Sequence, residues 1–414
     1  MTLQLDRAER NLILALLCVA SFAVVFNNLI ITPILPDISE DLGVRVAVAG
    51  LLVTVYAIVG GVAAIFSGPF IDRIGRKPIV VAGMSTLVVA TALSAVSPHF
   101  VLLAASRGLA GFGVACLTPA VFSAVGDYFK YEERGRAMSW VISANTSASI
   151  LGVPAGAVIS GLLSWRLTFV LIAGLCLVFT WLLFRHLPSD PPRHSAATRE
   201  GLRSILEVLG DLQTSMALFS NFLSTAYWFV FVTYMGAYFY DEFGLAKWAL
   251  GGLTMVMGLG VLLGSNIGGR LSDRIGKQPI IVWASGFCAG LILLETTVAP
   301  NLVVAGVLLF LFAGFGGARF ASAQAVMTQM SPHRRGTVMA LSASGQQFGI
   351  VIGSGLGAAA LALGGYVALG PTSALLAIAS LITYAVFVDE GSLISEEIAT
   401  SEASPPPERR EAPA

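Results

Sequence analysis

One arginine stands inside an otherwise uncharged stretch of this chain. Residues 100–126 read FVLLAASRGLAGFGVACLTPAVFSAVG, and Arg107 is their only charge. In a lipid setting such a side chain costs about 2.5–3.5 kcal/mol to insert, so residues of this kind turn toward a cavity or a polar partner. Two chemistries are open to Arg107: holding a polar or anionic substrate, or taking part in proton movement. The plainer alternative is an arginine held by carbonyls that ties its segment to a neighbour. A proton carrier needs a carboxyl group whose protonation changes inside the apolar region. Asp37 in LPDI, Glu295 late in another apolar run, and Asp127 just beyond the Arg107 stretch are the carboxylates placed for that work. Asp37, Glu295 and Arg107 are taken as the proton-coupling candidates. For Asp37 and Glu295 the competing role is that of a solvated or peripheral carboxylate.

A second group is marked by spacing. Tyr227, Phe231, Tyr234 and Tyr238 follow one another at steps of four, three and four, which puts them on one helical face. Asn221, Ser224 and Trp228 lie beside them. Small-molecule pockets are largely apolar with a few fixed polar groups. Asn27, Asn28, Asn145, Gln324 and Gln346, scattered through other apolar runs, supply such groups. Together with Arg107, Tyr227, Phe231 and Tyr234 they form the expected substrate surface. Helix packing and an interfacial aromatic belt compete with that reading, most strongly for Tyr238.

A third signal is a charged sentence written twice. Residues 68–78 read GPFIDRIGRKP, and residues 269–279 read GRLSDRIGKQP. Around these sits a chain of 414 residues, 56% hydrophobic and only 12% charged. A soluble domain carries about 25% charged residues, so lipid is the indicated solvent. Leu12–Leu35 and Val46–Ile71 contain no charge at all, and each exceeds the roughly 20 residues needed to cross a bilayer. Apolar segments fall at about 12–35, 47–68, 79–97, 100–123, 137–161 and 166–185. Six more follow at about 213–239, 247–269, 279–298, 301–323, 337–361 and 367–388. The predicted organisation is a bundle over 1–185, a polar linker over 186–212, a second bundle over 213–388, and an acidic, Pro-rich tail over 389–414 expected to be disordered. Most of the 24 Lys+Arg lie in segments that share a side with the N-terminus, Arg45, Arg107, Arg166 and Lys247 standing elsewhere. The positive-inside rule therefore places both termini in the cytoplasm.

The repeat extends beyond one loop. An offset of 201 brings Gly68, Asp72, Arg73, Gly75 and Pro78 onto Gly269, Asp273, Arg274, Gly276 and Pro279, and Arg134, Gly135 and Met138 onto Arg335, Gly336 and Met339. Such duplication marks transporters, whose substrate site lies near the midplane between the repeats. Net charge is zero, which gives nucleic acid no purchase. The isolated Cys18, Cys116, Cys176 and Cys288 form no metal-binding or disulfide pattern. Neither GxxxxGK[ST], HExxH nor GxSxG occurs, so ATP-driven or hydrolytic chemistry is not expected and no cofactor is called for.

GPFIDRIGRKP is similar to the GxxxDRxGRK loop of the major facilitator superfamily, and RGLAGFGVA (107–115) to the RxxxGxG pattern of its fourth span. GVPAGAVISG (152–161), followed by WRLTF, resembles the fifth-span motif of the twelve-span drug:proton antiporters and related bacterial sugar and metabolite exporters, with Val153 standing between Gly152 and Pro154. The resemblance covers about residues 10–388. It implies an all-α membrane protein of twelve transmembrane helices in two pseudo-symmetric six-helix bundles. It also implies a monomer in the bacterial inner membrane, working by alternating access, that exports small organic molecules in exchange for protons. Uptake or facilitated passage of a small metabolite such as a sugar, and lipid translocation, are the alternatives. Asp37 gains weight because the first span lines the cavity in this family.

The resemblance makes the doubled loop a gate on the cytoplasmic side, built from Gly68, Asp72, Arg73, Arg76, Arg134, Arg136, Asp273 and Arg274. Carboxylates there pair with arginines and accept from helix N-termini. Kinks are expected at Pro33, Pro119 and Pro154. Since the second copy replaces Arg76-Lys77 by Lys277-Gln278, Asp72→Asn should weaken the outward-open state more than Asp273→Asn. Cysteine labelling of cytoplasmic positions, unchanged in Asp72→Asn, would contradict this.

Overall fold

The computed structural model describes residues 7–129, 131–188, 205–299, 301–330 and 335–389. Among the described residues, twelve helices are long and apolar enough to cross a membrane. In the first half, span 1 is Glu9–Leu29, span 2 Val46–Ala64, span 3 Arg76–Ala95, span 4 Phe100–Val125, span 5 Trp140–Leu162 and span 6 Trp165–His186. In the second half, span 7 is Leu212–Phe243, span 8 Lys247–Ser272 and span 9 Lys277–Thr297. Span 10 is Leu302–Met327, span 11 Thr337–Gly364 and span 12 Tyr366–Phe387. Several helices outrun the apolar limits read from sequence. That of span 2 continues to Ile74, and that of span 11 begins at Arg335. Backbone hydrogen bonding does not stop where side chains turn polar, so the helices carry on into the headgroup zone.

The predicted linker over 186–212 is described only at its edges, with residues 205–210 helical. Nearly all of the predicted tail over 389–414 lies outside the described residues.

Three spans are interrupted, two of them next to proline. The helix Arg7–Leu29 stops, and a second helix, Ile31–Asp41, carries span 1 onward. Pro33 lacks an N–H and its ring crowds the carbonyl four residues earlier, which is that of Leu29. In span 5 a π-turn at Ala148–Gly152 precedes Pro154 and absorbs the same clash. Span 7 breaks at Thr233 and Tyr234, between helices Leu212–Val232 and Met235–Phe243. No proline lies there; the Tyr234 N–H closes a tighter turn on the Phe231 carbonyl at 2.9 Å. Pro119 sits inside an assigned helix that stays continuous from Phe100 to Tyr128.

The packing repeats with the sequence. Spans 2–4, 3–4, 3–6 and 1–5 pack together in the first half, and spans 8–10, 9–10, 9–12 and 7–11 correspond to them in the second. The doubled loop repeats down to its backbone. Gly75 and Gly276, each just ahead of the next span, have φ of 97° and 94°. Only glycine adopts that conformation without strain.

At the end opposite the chain termini, Arg166 is bonded to Asp41 and donates to the Ser97 carbonyl at 3.0 Å within the first half, and the Tyr366 hydroxyl donates to Asp241 within the second. Lys247 of the second half joins the two there through Asp37 and Glu40 of the first. The two halves meet along a seam made chiefly by spans 2 and 11 and by spans 5 and 8. Thr54 and Ser354 share a 2.7 Å hydrogen bond across it. The Tyr234 ring presses on Gly50, and Gly236 lies so close to Thr32 that a Cβ would strike its carbonyl. At the terminal end, the Tyr128 to Pro188 and Gln213 to Asp389 hydrogen bonds each stay within one half.

Gly75→Ala and Gly276→Ala should each lower stability by about 1–3 kcal/mol, the cost of holding a side chain in such a backbone conformation. Thermal unfolding of the purified variants in detergent checks this, with similar losses expected from the two copies.

Candidate functional site

Arg107 comes from span 4, two turns below the end opposite the termini, and is 1% exposed. Its Nη1 donates to Asn27 Oδ1 at 2.6 Å and its Nη2 to the Asn27 carbonyl at 2.8 Å. Asn27 lies in the last turn of the helix that Pro33 interrupts, where carbonyls lack helical partners and a cation is favoured by the helix dipole. The Asn27 amide in turn donates to Thr91 Oγ1 of span 3 at 3.0 Å. The guanidinium also stands over the Tyr56 ring of span 2, 4.8 Å from its centroid. Arg107 thus joins spans 1, 2 and 4, and reaches span 3 through Asn27. Its Nε has no hydrogen-bond partner, nor has the Tyr56 hydroxyl.

A second buried arginine escaped the sequence reading. Arg319, in span 10, is 1% exposed. Its Nε donates to Ser285 Oγ at 3.0 Å, and its Nη2 to the Ser220 carbonyl at 2.9 Å and to Ser380 Oγ at 2.9 Å. Nη1 has no partner. It ties spans 7, 9, 10 and 12 as Arg107 ties spans 1, 2, 3 and 4. The signal was available, because residues 301–330 contain no other charge.

The aromatic face of span 7 is absorbed into packing. Tyr227, Phe231 and Tyr234 are all buried. Tyr227 and Phe231 meet Phe312 of span 10 edge-on, and the Tyr234 hydroxyl donates to the Ser354 carbonyl at 3.0 Å. Regular helical spacing selects a face that neighbouring helices also seek, and three large rings fill it. Trp228, stacked on Phe312, and Ser224 keep partial exposure on the same span. Tyr238 donates to the Glu295 carbonyl at 2.6 Å.

Asn28, Asn145, Gln324 and Gln346 are half-buried. Asn145 Oδ1 and Gln324 Oε1, one from each half, are buried atoms without a hydrogen-bond partner. Buried polar atoms are normally paired, so these two are open to a ligand or water.

The carboxylates separate into different settings. Asp37 accepts from Ser160 Oγ at 2.5 Å and faces Lys247 Nζ at 3.2 Å. Lys247 also donates to Glu40 at 2.6 Å, and this hydrogen bond holds the Glu40 carboxyl below its ordinary range. Glu295 is 2% exposed, and neither carboxyl oxygen has a partner. Of the expected gate, Arg76 is buried and Arg274 exposed. The backbones of Gly68, Asp72, Arg73, Arg136 and Asp273 are helical, as is that of Arg134, but these residues' surroundings lie outside the described side chains, as does the Asp127 side chain.

Duplicated six-helix bundles with polar side chains between them, sealed at one end, have the architecture of a membrane transporter. The chain belongs to the Major Facilitator Superfamily, whose family model matches residues 17–312. It is 24% identical to the uncharacterized MFS-type transporter YceJ of Bacillus subtilis (strain 168), over 81% of this chain and 85% of that protein. It is 27% identical to a chloramphenicol resistance protein of Streptomyces lividans, over 65% of this chain and 69% of that protein. Its fold matches the crystal structure of a D-xylose-proton symporter with a TM-score of 0.73 at 16% identity, covering 92% of this chain and 98% of that one. Identity that low carries the fold alone.

Arg107→Lys keeps the charge but cannot span the Asn27 side chain and carbonyl as a planar fork does. It should destabilise the protein by about 1–3 kcal/mol. In a double-mutant cycle, Arg107→Ala and Asn27→Ala should be strongly non-additive by thermal unfolding; additive losses would disconnect the two.

Proposed function

We propose that this transporter is a proton-coupled exporter of neutral or anionic small organic molecules that works by alternating access. The observation that carries the reading is the unpaired Asn145 and Gln324 side-chain oxygens, buried acceptors contributed one by each half. Kinship with a chloramphenicol resistance protein supports export of an organic molecule of modest size. Half-buried Asn28, Gln346, Ser224 and Trp228 complete a polar and aromatic lining. In this reading Arg107 supports the lining through Asn27, while Tyr227 and Phe231 back it from behind.

Among the carboxylates, Glu295 fits the coupling role better than Asp37. Asp37 is engaged by Ser160 and Lys247, whereas the Glu295 oxygens have no partner and sit in an apolar span. An ionised carboxylate is poorly tolerated there without a partner, so proton binding and release at Glu295 would track access to water. In this reading the protein is a monomer of the bacterial inner membrane, with both termini cytoplasmic and two functional halves joined through residues 186–212. The Asp72 and Asp273 loops would then close the cytoplasmic side when the opposite end opens.

Purified protein in proteoliposomes with an interior pH probe tests this, with chloramphenicol and D-xylose among the compounds supplied. Chloramphenicol-dependent proton movement is expected, and Glu295→Gln should abolish proton movement while leaving chloramphenicol binding intact. Substrate movement with no pH change would sink proton coupling. Movement of D-xylose alone, with protons in the same direction, would replace export by uptake.

A further inference from the structure

Lys247 opens a short 3-10 turn, Lys247–Ala249, that leads into span 8 of the second half. That turn is seated on the end of span 5 of the first half: a Cβ at Gly161 would run into the Trp248 backbone. From there the lysine reaches two carboxylates of the first half, Glu40 at 2.6 Å and Asp37 at 3.2 Å. Two of the three components are also held by their own half. Asp37 accepts from Ser160 of span 5 at 2.5 Å, and Lys247 Nζ lies 5.4 Å from the Tyr240 ring centroid, on the second half of span 7. The neighbouring Asp41 is occupied by Arg166, and Asp241 by Tyr366.

We propose that Lys247, Asp37 and Glu40 form a latch between the halves that biases the transporter toward the state closed at this end. The inference rests on the alternating-access reading, in which the two halves must part here for the opposite state to form. Parting removes both ion pairs at once. Ser160 keeps Asp37 in place and Tyr240 keeps Lys247, so that pair reforms without searching for its geometry. The assignment also gives Asp37 a role other than proton carriage: with a lysine and a serine on it, it is a contact between moving bodies. The latch is only moderately shielded, since the side chains of Lys247, Asp37 and Glu40 are 26%, 12% and 54% exposed. Its strength is therefore modest and sensitive to salt.

Thr32 supplies the readout, being 4% exposed with its carbonyl against Gly236 on the seam. Thr32→Cys is introduced with Cys18, Cys116, Cys176 and Cys288 replaced by alanine. A membrane-impermeant maleimide is then applied separately to right-side-out and inside-out vesicles, with and without an imposed pH gradient. Lys247→Gln should speed labelling from one side only, by about threefold to tenfold, the range for a partly exposed ion cluster. Lys247→Glu should speed it further, Lys247→Arg should leave it near the starting rate, and Glu40→Lys combined with Lys247→Glu should bring it back down. Raising ionic strength in the protein that retains Lys247, where no folding defect intervenes, should act in the same direction as Lys247→Gln. If the pH gradient changes labelling but Lys247→Gln, Lys247→Glu and salt leave it untouched, the latch is overturned and alternating access stands. Labelling that stays constant under the gradient while transport proceeds overturns the reading beneath it.

Discussion

A guanidinium withdrawn from water inside a bilayer must find oxygen atoms, and in a helical membrane protein almost every carbonyl is already used by its own helix. This constraint explains why Arg107 and the interruption of span 1 occur together. Pro33 ends the helix at Leu29, leaving the carbonyls of the last turn short of partners. The Asn27 carbonyl and side chain then receive the arginine. The break supplies acceptors and the dipole end, and the cation caps them. In the second half the constraint is met differently: Arg319 sits among Ser220, Ser285 and Ser380, whose hydroxyls, with the Ser220 carbonyl, supply the oxygen without a break in the helix.

The two halves therefore share a plan without sharing its contents. Their packing partners correspond span for span, and Gly75 and Gly276 hold nearly the same backbone conformation. Their buried cations do not correspond. Arg107 lies about two turns into its helix and Arg319 about five turns into its own. Each half is thus cross-braced near a different end, which suits rigid bodies that rock against each other rather than deform. The material between them suits it too. Apart from the Thr54 to Ser354 hydrogen bond and the Lys247 cluster, the seam features named above are close approaches at glycine, such as Gly236 on Thr32 and Gly50 on Tyr234. Contacts of that kind separate without stranding buried polar groups.

Much of this was legible in the chain. Long uncharged runs dictate membrane helices because each helix satisfies its own backbone. The doubled DRIG loop, with glycine at a position only glycine tolerates, announced the duplication. The isolation of Arg107 announced a buried polar contact, and identical reasoning applied to Arg319 would have found the second. At Tyr227 and Phe231 spacing left two readings open. A helical face rich in rings is as suited to meeting Phe312 as to meeting a substrate, and period alone does not distinguish a neighbour from a ligand.

What the sequence determined by itself was local or periodic: the solvent, the spans, the repeat, the interruptions near Pro33 and Pro154 and the presence of costly charges. What only the tertiary structure decided was which distant groups meet. Lys247 and Glu40 are separated by 207 positions, and no short-range pattern marks them as partners. Asp37 and Glu295 look alike as carboxylates late in apolar runs. One is gripped by Ser160 and Lys247 and the other is enclosed without a partner. The physical reason is that a charge's role depends on the dielectric and the counter-charges around it, and those are set by helices that come together only when the bundles assemble.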